Sequence, residues 1–159
     1  LPVLQKSGFT ATCYAVSSMM GGTNSWDSGL VAEKPLMNES EWRIWLASGM
    51  DVGSHTRTHA DLTKLPIDEA IDQIANSKIE LQDALGCDIR HFCYPYGRFD
   101  TTHSQLVKQA GYVTATTTRR GRVHPGDDLM ALRRVLVAQA TTLMQFFLKI
   151  ATAYEDRRG

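Results

Sequence analysis

The sequence predicts an α/β domain with a mostly parallel sheet or barrel. Short β-branched and aromatic runs alternate with amphipathic stretches of helical length, the pattern of βα units. The length of 159 residues suits one domain, expected to span residues 1–159, with a sizeable core. Hydrophobic residues make up 43% of the chain and charged residues 21%, so the chain is too apolar for its charge to be disordered.

The elements follow in order. Residues 1–8 read as the tail of a helix closed by a cap at Gly8. A helix met at its last turns predicts more chain before Leu1, and no signal peptide is visible. Phe9 to Val16 is β-rich and short, a buried strand. Ser17 to Leu36 is polar and carries Gly21-Gly22, a long loop. Asn38 with Glu41 three residues on is a capping box opening a helix through Trp42, Trp45 and Leu46. Asp51 to Ser54 is a strand that ends in His55.

From Pro66 a longer helix starts, with Pro in its first turn and Asp68 and Glu69 near the positive dipole end. Ile67, Ile71, Ile74, Lys78, Leu81 and Leu85 mark its expected buried face, and Gly86 closes it. His91 to Tyr94 is a strand. Thr101 to Ala110 is a helix, and Tyr112 to Thr117 a strand. Arg119 to Met130 reads as a polar loop, Leu132 to Val137 as a strand, and Thr141 to Tyr154 as a helix with a Thr cap.

Charge and cysteine usage narrow the function. Lys and Arg number 17, as do Asp and Glu, so neither a basic nucleic-acid footprint nor a polybasic membrane anchor is expected. No apolar run approaches the roughly 18 residues of a membrane span. Three cysteines do not make a disulfide framework, which leaves both reducing and oxidising compartments open. Cys13 and Cys93 read as strand residues and Cys87 as a helix-end residue. No base is paired with any of the three in sequence.

Sites in parallel α/β folds gather at the C-terminal ends of strands. Two such ends are chemically unusual. The first is Ser54-His55-Thr56-Arg57-Thr58-His59-Ala60-Asp61-Leu62. Imidazoles four residues apart on a turn come to one side, and neutral imidazole is a common ligand of zinc-like metals. The alternative is two surface or capping histidines. Asp61 would point away from a metal and reads as a cap of the turn holding Leu62. A catalytic zinc site needs a third protein ligand, which must then come from a distant segment. The second end is Tyr94-Pro95-Tyr96-Gly97. Pro95 removes a donor and fixes φ, and Gly97 permits positive φ. Such a turn can aim the backbone N–H of Tyr96 outward as an oxyanion donor, or it can be a structural turn with aromatic packing.

Together these motifs resemble the polysaccharide deacetylases, the NodB-homology domain of carbohydrate esterase family 4. The resemblance rests on Ser54 to Leu65 and Phe92 to Gly97, with support from Gly111-Tyr112, Ala115-Thr116-Thr117 and Leu132 to Val135. The Tyr-Pro-Tyr-Gly form is most similar to the branch acting on N-acetylglucosamine polymers. The resemblance implies a distorted (β/α) barrel, lacking its first strand in this chain, and metal-dependent N-deacetylation of a polysaccharide. It implies His55 and His59 as ligands of zinc or a similar divalent ion. It implies the Tyr96 N–H as oxyanion donor and Tyr94, Pro95, Tyr96 and Gly97 as substrate contacts. The family's third ligand and base are aspartates of a Thr-Phe-Asp-Asp-Gly motif, expected before the position of Leu1.

The chain departs from the family pattern at Cys93, where many members carry arginine. Arg134 is the matching arginine of this branch, implied to orient the base aspartate. The family's late general-acid histidine has no counterpart, and His124 is the one downstream candidate. His91 and His103 are given no role. The chain alone is expected to be a weak or inactive deacetylase, with an open sheet edge that invites oligomers. A bacterial cell envelope or secreted location is expected. Three alternatives stay open: a glycan-binding module using Trp26, Tyr94 and Tyr96, a cyclic-amide hydrolase of the same fold, and a domain with incidental histidines.

Overall fold

The computed structural model describes residues 1–158. It opens with α1, Pro2–Ser7, capped by Gly8 in the left-handed region as expected. Five strands form one sheet: β1 Thr12–Ala15, β2 Asp51–Ser54, β3 His91–Cys93, β4 Thr114–Arg120 and β5 Leu132–Arg134. They lie side by side in chain order, and every neighbouring pair is parallel. The connections carry α2 Glu39–Ala47, α3 Ile67–Leu85 and α4 Thr101–Gln109, and α5 Leu143–Ala151 follows the last strand. Trp42 of α2, Ile74 and Leu81 of α3 and Val107 of α4 share one core cluster with Val52, Phe92 and Ala115 of the sheet. The crossover helices therefore cover one face. Parallel strands in chain order with helices on one side form the arc of a (β/α) barrel. Among the described residues, no helix is long and apolar enough to cross a membrane.

Most local signals hold. Asn38 and Glu41 make a reciprocal capping box at α2, and Gly86 ends α3 in the left-handed region. Thr142 and Gln145 cap α5. The expected buried face of α3 is corrected. Ala70, Ile74, Ser77, Leu81 and Leu85 are buried, whereas Ile67 and Ile71 are 50% and 44% exposed. Small residues at 70 and 77 let the helix close on the sheet. The Ser77 hydroxyl lies 2.7 Å from that of Ser54 on β2 and 3.3 Å from that of Tyr112. A hydroxyl pair under a helix is invisible to a hydrophobic pattern. Lys78 lies at the edge of that face and donates to the Gly111 carbonyl at 2.7 Å.

The last strands also differ from expectation. β4 continues to Arg120, and β5 stops at Arg134. Their register shifts between Thr116 and Arg120, so β5 pairs only at Leu132 and Arg134. Leu136 and Val137 are β-formers, but they are 54% and 53% exposed beyond this pairing.

After α5 the chain is pinned to β4 by charge. Arg120 Nε and Nη2 donate to the two carboxylate oxygens of Glu155 at 2.8 and 2.9 Å, and Lys149 also pairs with it. Glu155 is fully buried. Hydrogen bonds from Arg120 and Lys149 hold its carboxyl at about 2, below the ordinary 4.5. A carboxyl depressed by folding stabilises the native state above its unfolded pKa and loses that contribution as pH falls toward the folded one. Protection of the α5 amides from hydrogen exchange is therefore expected to drop between pH 4.5 and about 2. Glu155→Gln is expected to remove the pH dependence in that window. Protection that is flat across it in the parent protein would contradict this assignment.

Candidate active site

The two unusual strand ends meet. The His55 N–H donates to the Ala15 carbonyl at 2.8 Å, extending the β1–β2 ladder past Ser54 and placing the imidazole at the sheet's C-terminal rim. Its Nδ1 lies 2.6 Å from the Cys93 carbonyl. A carbonyl only accepts, so Nδ1 carries the proton and Nε2 keeps its lone pair. The chain then turns through Thr56 at φ 66 and His59 at φ 60. Left-handed backbone at a non-glycine residue costs about 1–3 kcal/mol and persists only where neighbours impose it. The outcome is a His55–His59 ring separation of 4.7 Å, edge to face.

His59 sits in an aromatic slot. The Trp26 ring stacks on it at 4.5 Å and 13°, and Tyr96 meets it edge-on at 4.8 Å. Burial, followed by the charge of His55, lowers its pKa to about 4 against the pull of Asp27. Burial also lowers that of His55, and the Arg134 charge adds to this against the Cys93 hydrogen bond. Both rings are thus neutral at pH 7, the form that binds metals. His59 Nδ1 is buried with no hydrogen-bond partner in the protein. Buried polar atoms are nearly always satisfied, so an orphan nitrogen beside a second imidazole fits a ligand atom for a metal ion. The donor set fits in part. Among the described residues no three His, Cys, Asp or Glu side chains gather into a metal-holding group. Asp61 is not the third. One of its oxygens accepts from the Thr63 N–H at 3.2 Å, and the other takes Arg98 at 2.6 Å. It caps the 3₁₀ turn Leu62–Lys64, as expected.

The second turn is tighter than its sequence suggests. Tyr96 itself takes φ 57, and Gly97 takes φ 67. A Cβ on Gly97 would lie 2.0 Å from Thr118 Oγ1, so both conformation and space require glycine. The expected surface of Tyr94, Pro95, Tyr96 and Gly97 is corrected. Tyr94 is 1% exposed. Its hydroxyl donates to the Met130 carbonyl at 2.9 Å, and its ring stacks on Phe99 at 4.3 Å. Strand alternation puts Tyr94 on the same core side as Phe92, and Pro95 is buried with it. Tyr96 is exposed and Gly97 half-buried.

Arg134 donates from Nε to the Thr117 carbonyl at 2.7 Å. Its charge acts on His55, Cys93 and Tyr14. Arg133 instead lies against Gly121. His124 pairs with Asp156 at 3.8 Å beside Arg122, not with the imidazole pair. His91 bonds Thr114, and His103 caps α4 and bonds the Leu62 carbonyl. Burial raises all three thiols, so none is activated as a nucleophile.

Sequence reasoning missed Tyr14. It stands opposite Gly53 on the neighbouring strand. A Cβ on Gly53 would come within 2.5 Å of its ring. The ring therefore lies across the glycine, beside a cavity of about 280 Å³ lined by Tyr14, Met20, Trp26, Met37, Trp42 and His55. The signal was the glycine inside a strand, which marks close approach.

Two outcomes follow. In an NMR titration the His59 ring is expected to stay neutral until pH nears 4. Protonation near pH 6.5 would contradict its burial between Trp26 and Tyr96. Gly97→Ala is expected to cost more than about 1 kcal/mol in chemical denaturation, because it forces strain at positive φ. Thr118→Gly is expected to restore part of the loss by clearing the contact.

The chain resembles known proteins along most of its length. Residues 1–115 match the sequence model of the family described as polysaccharide deacetylase. The poly-β-1,6-N-acetyl-D-glucosamine N-deacetylase of Staphylococcus epidermidis is 26% identical over 145 residues, covering 86% of this chain and 48% of its own. A polysaccharide deacetylase from Bacillus cereus is 28% identical and superposes with a TM-score of 0.74 over 89% of this chain and 42% of that one. A deacetylase of Streptococcus pyogenes, solved with acetate, superposes at 0.81 over 94% of this chain and 62% of its own. At 21% identity that likeness is one of fold. The chain spans about half the length of the curated relatives it matches. The matched residues include both histidines and the aromatic turn, and the chain belongs to the polysaccharide deacetylase family.

Proposed function

We propose that this chain carries the active face of a divalent-metal-dependent deacetylase that removes N-acetyl groups from an N-acetylglucosamine polymer. One observation carries the reading: two neutral imidazoles stand 4.7 Å apart at the ends of parallel strands, beside an exposed tyrosine turn. The likeness to a poly-N-acetylglucosamine deacetylase supports the substrate class.

His55 and His59 would hold the ion, with an aspartate from outside the described residues as third ligand and a second as base. An ion held there supplies Lewis acidity that polarises the acetamide carbonyl and makes water a nucleophile near neutral pH. The chain's own groups do the rest. The Cys93 carbonyl holds the His55 proton on Nδ1, so Nε2 would be the ligand atom. The Tyr96 N–H, on a turn stiffened by Pro95 and Gly97, donates to the developing oxyanion. Arg134 orients the base aspartate with a charge-assisted hydrogen bond. Tyr96 and Trp26 offer ring faces to the sugar, which is positioned over the pair.

A glycan-binding module on the same fold is the second reading. It is favoured by the absence, among the described residues, of any group of three His, Cys, Asp or Glu side chains that could hold a metal. The test is acetate release from a β-1,6-linked N-acetylglucosamine oligomer by the full-length protein with added zinc. Release is expected, with His55→Ala and His59→Ala each abolishing zinc retention. Arg134→Ala is expected to lower kcat by about 10- to 100-fold, the usual effect of losing a group that orients a site. Oligomer binding without acetate release at any zinc concentration would favour the binding module.

A further inference from the structure

Gln73 lies on α3, outside both motifs. Its side-chain oxygen accepts from the backbone N–H groups of Arg57 and Thr58, each at 3.1 Å, and from the Thr58 hydroxyl at 3.3 Å. Two successive N–H groups converging on one oxygen form a nest, a concavity suited to an anion or a carbonyl dipole. It sits in the turn where Thr56 takes φ 66. The carbonyls of the same turn are also tied: Ser17 donates to Thr56 at 3.1 Å and Ser18 to Arg57 at 3.0 Å. The Arg57 side chain spreads along α3, to Glu80 at 2.7 Å and Asp72 at 2.6 Å. The other Glu80 oxygen takes the hydroxyls of Ser17 and Ser18.

These bonds act on the backbone between the two imidazoles, not on the rings. The turn holds two left-handed non-glycine residues, at positions 56 and 59. A turn of that kind relaxes unless its N–H groups are held. Gln73 bonds two of them from a helix docked on the sheet through Ser77.

We propose that Gln73 is a positioning residue: by filling the Arg57–Thr58 nest it keeps the Thr56–His59 turn left-handed and so sets the separation of the His55 and His59 rings. The proposal rests on the reading of that pair as metal ligands. A neutral acceptor suffices, and a carboxylate would fill the nest at least as well.

The test uses the full-length protein with Gln73→Met, which keeps length without the acceptor, and Gln73→Glu, which keeps the acceptor. Three quantities are read: zinc affinity by calorimetry, the His59 ring signals by NMR without metal, and the thermal midpoint. Gln73→Met is expected to weaken zinc about 10- to 100-fold, the usual cost of losing an outer-shell partner. It is also expected to move the His59 signals, which the stacked Trp26 ring makes sensitive to position. Gln73→Glu is expected to restore both. Parent-like affinity and unmoved His59 signals in Gln73→Met overturn the proposal. So does equal loss in both variants, which would mean a packing role. Should the parent bind no zinc, the metal reading fails, and the His59 signals alone decide the positioning role. Should Gln73→Met not fold, Gln73→Asn, one methylene short of the nest, is read by the same criteria.

Discussion

The chain between Ser54 and Asp61 passes through left-handed backbone at Thr56 and His59, and neither residue is a glycine. That constraint organises its surroundings. An extended path would carry His59 away from His55, whereas the left-handed one folds it back beside the strand end. The neighbouring elements therefore read as a brace. Gln73 holds the N–H groups, Ser17 and Ser18 hold the carbonyls, and Arg57 ties the turn to α3. Two segments that are distant in sequence, Ser17–Ser18 and α3, share the work of keeping one turn strained.

The same turn links the two halves of the candidate site. Cys93 ends β3 and accepts from His55, so the strand that leads into Tyr94-Pro95-Tyr96-Gly97 also orients the first imidazole. Asp61 caps the turn after His59 and binds Arg98, just beyond Gly97. Tyr96 closes the circuit at the His59 ring. Movement of either turn is therefore felt by the other. The sheet makes this possible, because parallel pairing of β2 with β3 brings both chain exits to one rim.

Electrostatics sort the rest of the molecule. The imidazoles are kept neutral by burial. Two sets of ion pairs run from Arg57 to Asp72 and Glu80, and from Arg120 and Lys149 to Glu155. The first set braces the candidate site, and the second fastens the chain after α5. The 17 basic and 17 acidic residues leave the chain with no formal net charge.

By itself the sequence determined the βα alternation, the caps at Asn38 and Gly86 and a Thr cap on the last helix, and the two unusual strand ends. These are local signals, set by propensity, hydrophobic period and capping chemistry, and neighbouring residues suffice to read them. It also marked Asp61 as a cap. Only the tertiary structure decided which face α3 buries, because the Ser54–Ser77 hydroxyl contact pairs residues from separate elements. It alone put Tyr94 in the core, laid Tyr14 across Gly53 and stacked Trp26 on His59. It alone showed Gln73 at the turn. Such contacts join residues far apart in the chain, and a hydrogen bond or ring stack between them leaves no periodic trace in the sequence.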